Sequence, residues 1–110
     1  MKQGEIWELY LDPDQGSEQS GRQPVLIISG DLLNKFLQVV IVCPLTTKVK
    51  NYKGNLVLVP DDKNNLKRKS EVMTFHIRSV AKTRLKNKIG DITKEQLNLL
   101  KQGLDDILRY

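Results

Sequence analysis

The sequence predicts a mainly β fold with helices (α+β), in which about five short strands form a small, strongly bent antiparallel sheet or barrel closed by a C-terminal amphipathic helix. Three observations lead there. Short apolar or alternating runs are separated by polar segments rich in Gly, Asn, Asp and Pro. After Thr93 the hydrophobic period changes to that of a helix. The 110 residues show no internal repeat or biased segment that would divide them, so residues 1–110 are read as one domain.

The first strand is placed at Glu5 to Leu11, where polar and apolar residues alternate and Ile6, Trp7, Leu9 and Leu11 favour sheet. Residues 12–21 are polar and rich in turn formers and are read as a long loop. Val25 to Ser29, entered through Pro24, is an unbroken apolar run suited to a buried strand. Gly30 and Asp31 open a short helix over Leu32 to Phe36. Val39 to Cys43 is a third strand, expected to leave the sheet at Pro44. Leu56 to Val59 and Glu71 to Val80 are the remaining strands, joined by the polar connector Asp61 to Lys69, in which Asn64 and Asn65 supply turn chemistry. Leu97, Leu100, Leu104, Ile107 and Leu108 then mark one face of a helix that starts with a Thr93–Gln96 capping box. Gly103 inside it is expected to mark close packing against the sheet.

Composition narrows the function. Hydrophobic residues make up 39% and charged residues 28%, a balance that fits a folded, soluble domain. No apolar run approaches the ~18 residues of a membrane helix, so a cytoplasmic protein is expected. One cysteine, Cys43, and one histidine, His76, cannot form an internal disulfide or a structural zinc site. The net charge of +5 is unevenly spread: residues 1–31 carry two basic and six acidic side chains, residues 35–88 thirteen basic and three acidic. A basic field of this kind concentrates polyanions, nucleic acid above all.

The segments Lys2-Gln3-Gly4-Glu5-Ile6-Trp7, Leu11-Asp12-Pro13, Gly16-Ser17-Glu18-Gln19, Gly21 and Pro24-Val25-Leu26-Ile27-Ile28-Ser29 together resemble the N-terminal signature of the MazF/PemK toxins. Val42-Cys43-Pro44-Leu45-Thr46 is similar to that family's second motif and Ile77-Arg78-Ser79-Val80 to its third, in the same order and over almost the whole chain. The resemblance implies an SH3-like barrel, a homodimer, and sequence-selective cleavage of single-stranded RNA without a metal or other cofactor. It also implies a cognate antitoxin whose acidic, extended segment covers the RNA site.

Metal-independent RNA cleavage uses the substrate's own 2′-hydroxyl as nucleophile and needs a base, an acid and positive charge around the phosphate. With one histidine, a two-histidine mechanism is excluded. The family resemblance gives Thr46 the role of donor to a phosphate oxygen; a threonine at a strand end can equally cap a turn. Relatives usually carry arginine directly before the proline of the first motif, where this chain has Gln23. Glutamine can hydrogen-bond a phosphate but supplies neither charge nor a proton relay at ordinary pH. Either the neighbouring Arg22 takes over or the chain is an attenuated form.

Glu18 matches the family's acidic loop position, as a base or as an orienting partner for Arg22, with a solvated carboxylate as the plain alternative. Ser17, Gln19, Lys48, Lys50, His76 and Arg78 are candidate RNA-binding residues, and no residue set is assigned to a metal. Lys53 joins Lys48 and Lys50 in the second loop, whereas Lys67-Arg68-Lys69 is equally a solvated turn. Trp7 and Tyr10 can stack on bases, although Trp7 reads rather as core or dimer interface. The sequence therefore points to an endoribonuclease toxin using Arg22, Thr46 and Glu18. A non-catalytic RNA- or antitoxin-binding module disabled by Gln23 stands as the alternative, and a gyrase-poisoning toxin ranks last.

Overall fold

The computed structural model describes residues 1–10 and 21–110. Their elements run β1 (Glu5–Tyr10), β2 (Arg22–Ile27), α1 (Asp31–Phe36), β3 (Val39–Thr46), β4 (Leu56–Leu58), β5 (Ser70–Val72), a 3-10 turn (Thr74–His76), β6 (Arg78–Ala81), a second 3-10 turn (Lys82–Arg84), β7 (Leu85–Asp91) and α2 (Lys94–Arg109). All strand pairs are antiparallel, in the order β4-β5-β3-β2-β1-β7, with β6 also on β3. The result is a curled half-barrel with a C-terminal helix, in line with the fold expected from the sequence.

Curling gives each face of the sheet its own core. Ile6, Leu26, Cys43, Leu45, Leu58, Val72, Ile92 and Leu100 form one cluster, on the side that α2 covers. Leu9, Val25, Ile27, Val40, Val42, Val80 and Leu85 form the other, with Trp7 packed against it. Alternation along each strand sends successive residues to opposite clusters, which is why Val25 to Ile27 of β2 and Val42 to Leu45 of β3 form unbroken apolar runs.

Four expectations about strands need correction. β2 starts at Arg22 rather than Val25 and ends at Ile27, and the first strand's Leu11 lies outside the described residues. β4 stops at Leu58, one residue short of Val59.

β3 runs through Pro44 to Thr46. A proline inside a ladder loses a donor, and the segment opposite it absorbs that loss. The Pro44 carbonyl accepts from Met73 N–H at 2.9 Å, while the Met73 carbonyl accepts from His76 N–H at 3.0 Å. The acceptor that residue 44 leaves unanswered is thus taken by a turn.

That turn also splits the expected strand Glu71 to Val80. Leu45 faces Val72 and Val42 faces Arg78, so three steps along β3 match six along its partner. The three extra residues, Thr74–His76, are looped out as the 3-10 turn.

β7 was not foreseen. Its sequence, Leu-Lys-Asn-Lys-Ile-Gly-Asp, is mostly polar because it is an edge strand, and lysines are common on edges. The connector 61–69 covers part of this edge: Asp91 N–H donates to the Lys63 carbonyl at 2.9 Å and Asn65 Nδ2 to the Ile89 carbonyl at 3.0 Å. Gly90 permits the approach, since a Cβ there would stand 2.4 Å from the Asn64 carbonyl oxygen.

Helix α2 carries the expected capping box: the Thr93 side chain accepts from Gln96 N–H at 3.0 Å and the Gln96 side chain accepts from Thr93 N–H at 2.8 Å. Leu97, Leu100 and Leu104 enter the core, but Ile107 and Leu108 remain exposed, because the last turn runs past the sheet. Gly103 packs on a loop rather than on the sheet, with its would-be Cβ 2.3 Å from the Gly54 carbonyl oxygen. No helix among the described residues is long and apolar enough to cross a membrane.

Candidate active site

The end of β3, the loop 47–55 and the 3-10 turn together enclose a cavity of about 460 Å³, lined by Thr46, Lys48, Lys50, Tyr52, Asn55, Glu71, Met73, Phe75 and His76. Its position follows from the corrected strands. Carrying β3 past Pro44 puts Thr46 at the rim, and looping out Thr74–His76 swings Phe75 and His76 over the same opening.

The loop is held from beneath by one carboxylate. Glu71, opposite Thr46 in the ladder and 1% exposed, accepts N–H from Lys50 at 2.7 Å and Asn51 at 3.0 Å on Oε1. Its Oε2 accepts from Tyr52 N–H at 3.0 Å and Asn55 Nδ2 at 2.8 Å. Three consecutive backbone N–H groups converge as in an anion-binding nest, with Asn51 in the left-handed region at φ 55°. Burial pushes the Glu71 carboxyl upward, but the bonds from Asn55, Lys50, Tyr52 and Asn51 outweigh it and leave the pKa below the usual 4.5. Asn55 passes the connection on, its Oδ1 accepting Thr74 Oγ1–H at 2.6 Å and Thr74 N–H at 3.1 Å. One buried network thereby joins the loop to the 3-10 turn.

At the rim, Thr46 Oγ1 accepts from Lys48 N–H at 3.1 Å, which leaves the hydroxyl proton to donate outward. Tyr52 and Phe75, each 49% exposed, stand edge to face with centroids 5.8 Å apart, and His76 lies 4.8 Å from Phe75. Hydroxyl, lysines and open aromatic faces on one cavity suit a phosphate flanked by bases.

Residues 2–108 match the family model of the PemK-like, MazF-like toxin of type II toxin–antitoxin systems. The chain belongs to that family. It is 32% identical to the endoribonuclease MazF of Staphylococcus saprophyticus over 96% of this chain and 88% of that protein. It is 31% identical to the endoribonuclease EndoA of Bacillus subtilis, over 94% and 90%. A mycobacterial endoribonuclease solved in complex with its cognate antitoxin superposes with a TM-score of 0.79 at 22% identity, covering 98% of this chain and 94% of that one. That likeness shows the toxin fold.

Within the toxin fold, the cavity gathers Thr46, Lys48, Lys50 and His76 from the residues expected at the site. Arg78, opposite Val42, is on the Thr46 face but not among the lining residues. Ser17, Glu18 and Gln19 lie outside the described residues.

The two candidates on β2 part company. Leu9 pairs Gln23 and Tyr10 pairs Arg22, so the two side chains take opposite faces. Val25 pairs Pro44, and the same register carried two residues outward brings Gln23 level with Thr46 on one face. Arg22 takes the other face, with Nη1 3.5 Å from Glu8 Oε2 and its guanidinium 5.2 Å from the Tyr10 ring centre.

Sequence reasoning missed Glu71, Asn55, Tyr52 and Phe75 as parts of this site. Glu71, the single acid in the expected strand Glu71 to Val80, was the available signal. Trp7 packs against the core as expected, its Nε1 donating to Glu5 Oε1 at 2.9 Å.

Proposed function

We propose that this toxin cleaves single-stranded RNA at the Thr46 rim, by attack of the substrate's 2′-hydroxyl oxygen on the adjacent phosphorus. The observation that carries the reading is the Thr46 hydroxyl, fixed by Lys48 N–H and turned to a cavity lined by lysines and aromatic rings. The new P–O bond closes a 2′,3′-cyclic phosphate, and the P–O5′ bond breaks, the departing oxygen taking a proton from water to leave a 5′-hydroxyl.

Thr46 donates to a non-bridging oxygen as charge gathers there, and Lys48 and Lys50 supply the field. Tyr52, Phe75 and His76 hold flanking bases by stacking. Glu18 takes the 2′-hydroxyl proton, Ser17, Gln19 and Arg78 bind the strand on either side, and Gln23 hydrogen-bonds the phosphate. Arg22, on the opposite face, contributes charge to the approaching strand. The enzyme works in the cytoplasm, as a homodimer through the exposed apolar side chains of Leu32, Phe36, Leu37 and Ile41. An acidic antitoxin segment blocks the same basic cavity.

One observation favours a second reading, an attenuated RNA- or antitoxin-binding form: the β2 residue on the Thr46 face is a neutral amide and the guanidinium faces away. Incubation of the purified protein with mixed-sequence RNA in EDTA separates the two. Fragments ending in 2′,3′-cyclic phosphate support the enzyme; bound but intact RNA supports the attenuated form.

A further inference from the structure

We propose that a second cleft, on the opposite face of the sheet, binds the RNA strand beyond the cleaved bond, so that the substrate crosses the end of β3 from one cavity to the other. This rests on the proposed cleavage at Thr46.

The second cleft, about 360 Å³, is lined by Glu8, Pro24, Thr47, Leu66, Lys67, Arg68, Ser70 and Ile89. Thr46 lines the first cavity and Thr47 the second, so adjacent residues at one strand end enter the two sites. The ladder explains this geometry: Thr46 faces Glu71, and one residue further the register sets Thr47 beside Ser70 on the other side of the sheet. Consecutive Cα atoms are ~3.8 Å apart, so both clefts adjoin the same end of β3, where a strand leaving Thr46 can pass over the edge of the sheet into the second cleft.

The chemistry of the cleft suits single-stranded RNA. Half-buried Leu66 and Ile89 give an apolar floor for a base, and exposed Lys67 and Arg68 stand at its edge for phosphates. The acid in its wall, Glu8, is engaged: Oε1 accepts from Asn87 Nδ2 at 3.0 Å and Oε2 lies 3.5 Å from Arg22 Nη1. The positive charge of Lys67 and Arg68 thereby lies over a site whose carboxylate is already neutralised. A charged turn on the sequence becomes a strand guide in three dimensions.

Non-cleavable oligonucleotides with 2′-deoxyribose at the cleaved position test this, using a short one spanning only the Thr46 cavity and longer ones extended on either side. With the wild-type chain, extension on one side tightens binding. The exposed pair Lys67→Ala and Arg68→Ala is expected to abolish that gain, on the order of tenfold, while leaving the short oligonucleotide's affinity unchanged. The salt slope for the extended one should fall by about 1.4, from two phosphate contacts at ~0.7 each. Equal weakening of short and extended oligonucleotides, or no change in either, overturns the second cleft and leaves cleavage at Thr46 standing. A wild-type chain that neither binds nor cleaves RNA overturns both.

Discussion

Glu71 Oε1 accepts the backbone N–H of Lys50 at 2.7 Å, so a buried carboxylate of β5 fixes the loop whose side chains wall the cavity. Because the same carboxylate also takes N–H groups from Asn51 and Tyr52, the position of Lys50 and Tyr52 depends on its charge.

Acid should therefore loosen the loop. A carboxyl whose folded pKa lies below its unfolded value contributes stability above the unfolded value of about 4.5, lost as pH falls through the lower folded one. Urea midpoints should drop over that acid window in the wild type and much less in Glu71→Gln. At neutral pH the variant should be less stable by roughly 2 kcal/mol, since an amide cannot accept all four bonds. Parallel pH profiles for the two chains would sink the assignment.

Thr46→Val keeps the shape of the rim and removes the hydroxyl. Cleavage should fall by ~10² or more, the usual loss for one transition-state donor, whereas Thr46→Ser should retain most of the activity. Unchanged single-turnover rates in the valine variant would place the chemistry elsewhere.

Gln23→Arg sets a guanidinium on the Thr46 face, and cleavage should rise because charge and a fork of donors then meet the phosphate. Arg22→Ala, on the opposite face, should cost less than Thr46→Val. Rates that reverse this order would show that the faces of β2 were misassigned.

Gly103→Ala gains ~1 kcal/mol of helix propensity but sets a Cβ 2.3 Å from the Gly54 carbonyl oxygen. Backbone cannot yield as a side-chain tip does, so net destabilisation of about 1–3 kcal/mol is expected from thermal or urea unfolding. A more stable variant would mean that α2 and the 53–55 loop lie farther apart.

Cys43 is buried in the core and its thiol is pushed up to about 12 by desolvation. A thiol reagent at pH 8 should leave the native protein unlabelled and modify it on unfolding in urea. Rapid labelling of the native chain would place Cys43 at the surface.

Local chemistry determined a good deal of this protein. Apolar runs located most of the strands, the Thr93 and Gln96 spacing located the start of α2, and ordered motifs along the chain carried the family and, with it, Thr46 as a candidate. These features depend on residues near one another, so a linear reading captures them.

Whatever depends on partners distant in sequence was decided by the tertiary structure alone. β7 looks like a loop until β1 pairs with it, and Glu71 looks misplaced until loop 48–55 folds over it. The break at Thr74–His76 follows from Pro44, some thirty residues earlier, which withholds the donor that a continuous ladder needs. The separation of Gln23 from Arg22 comes from register, because pairing fixes which of two neighbours shares a face with Thr46.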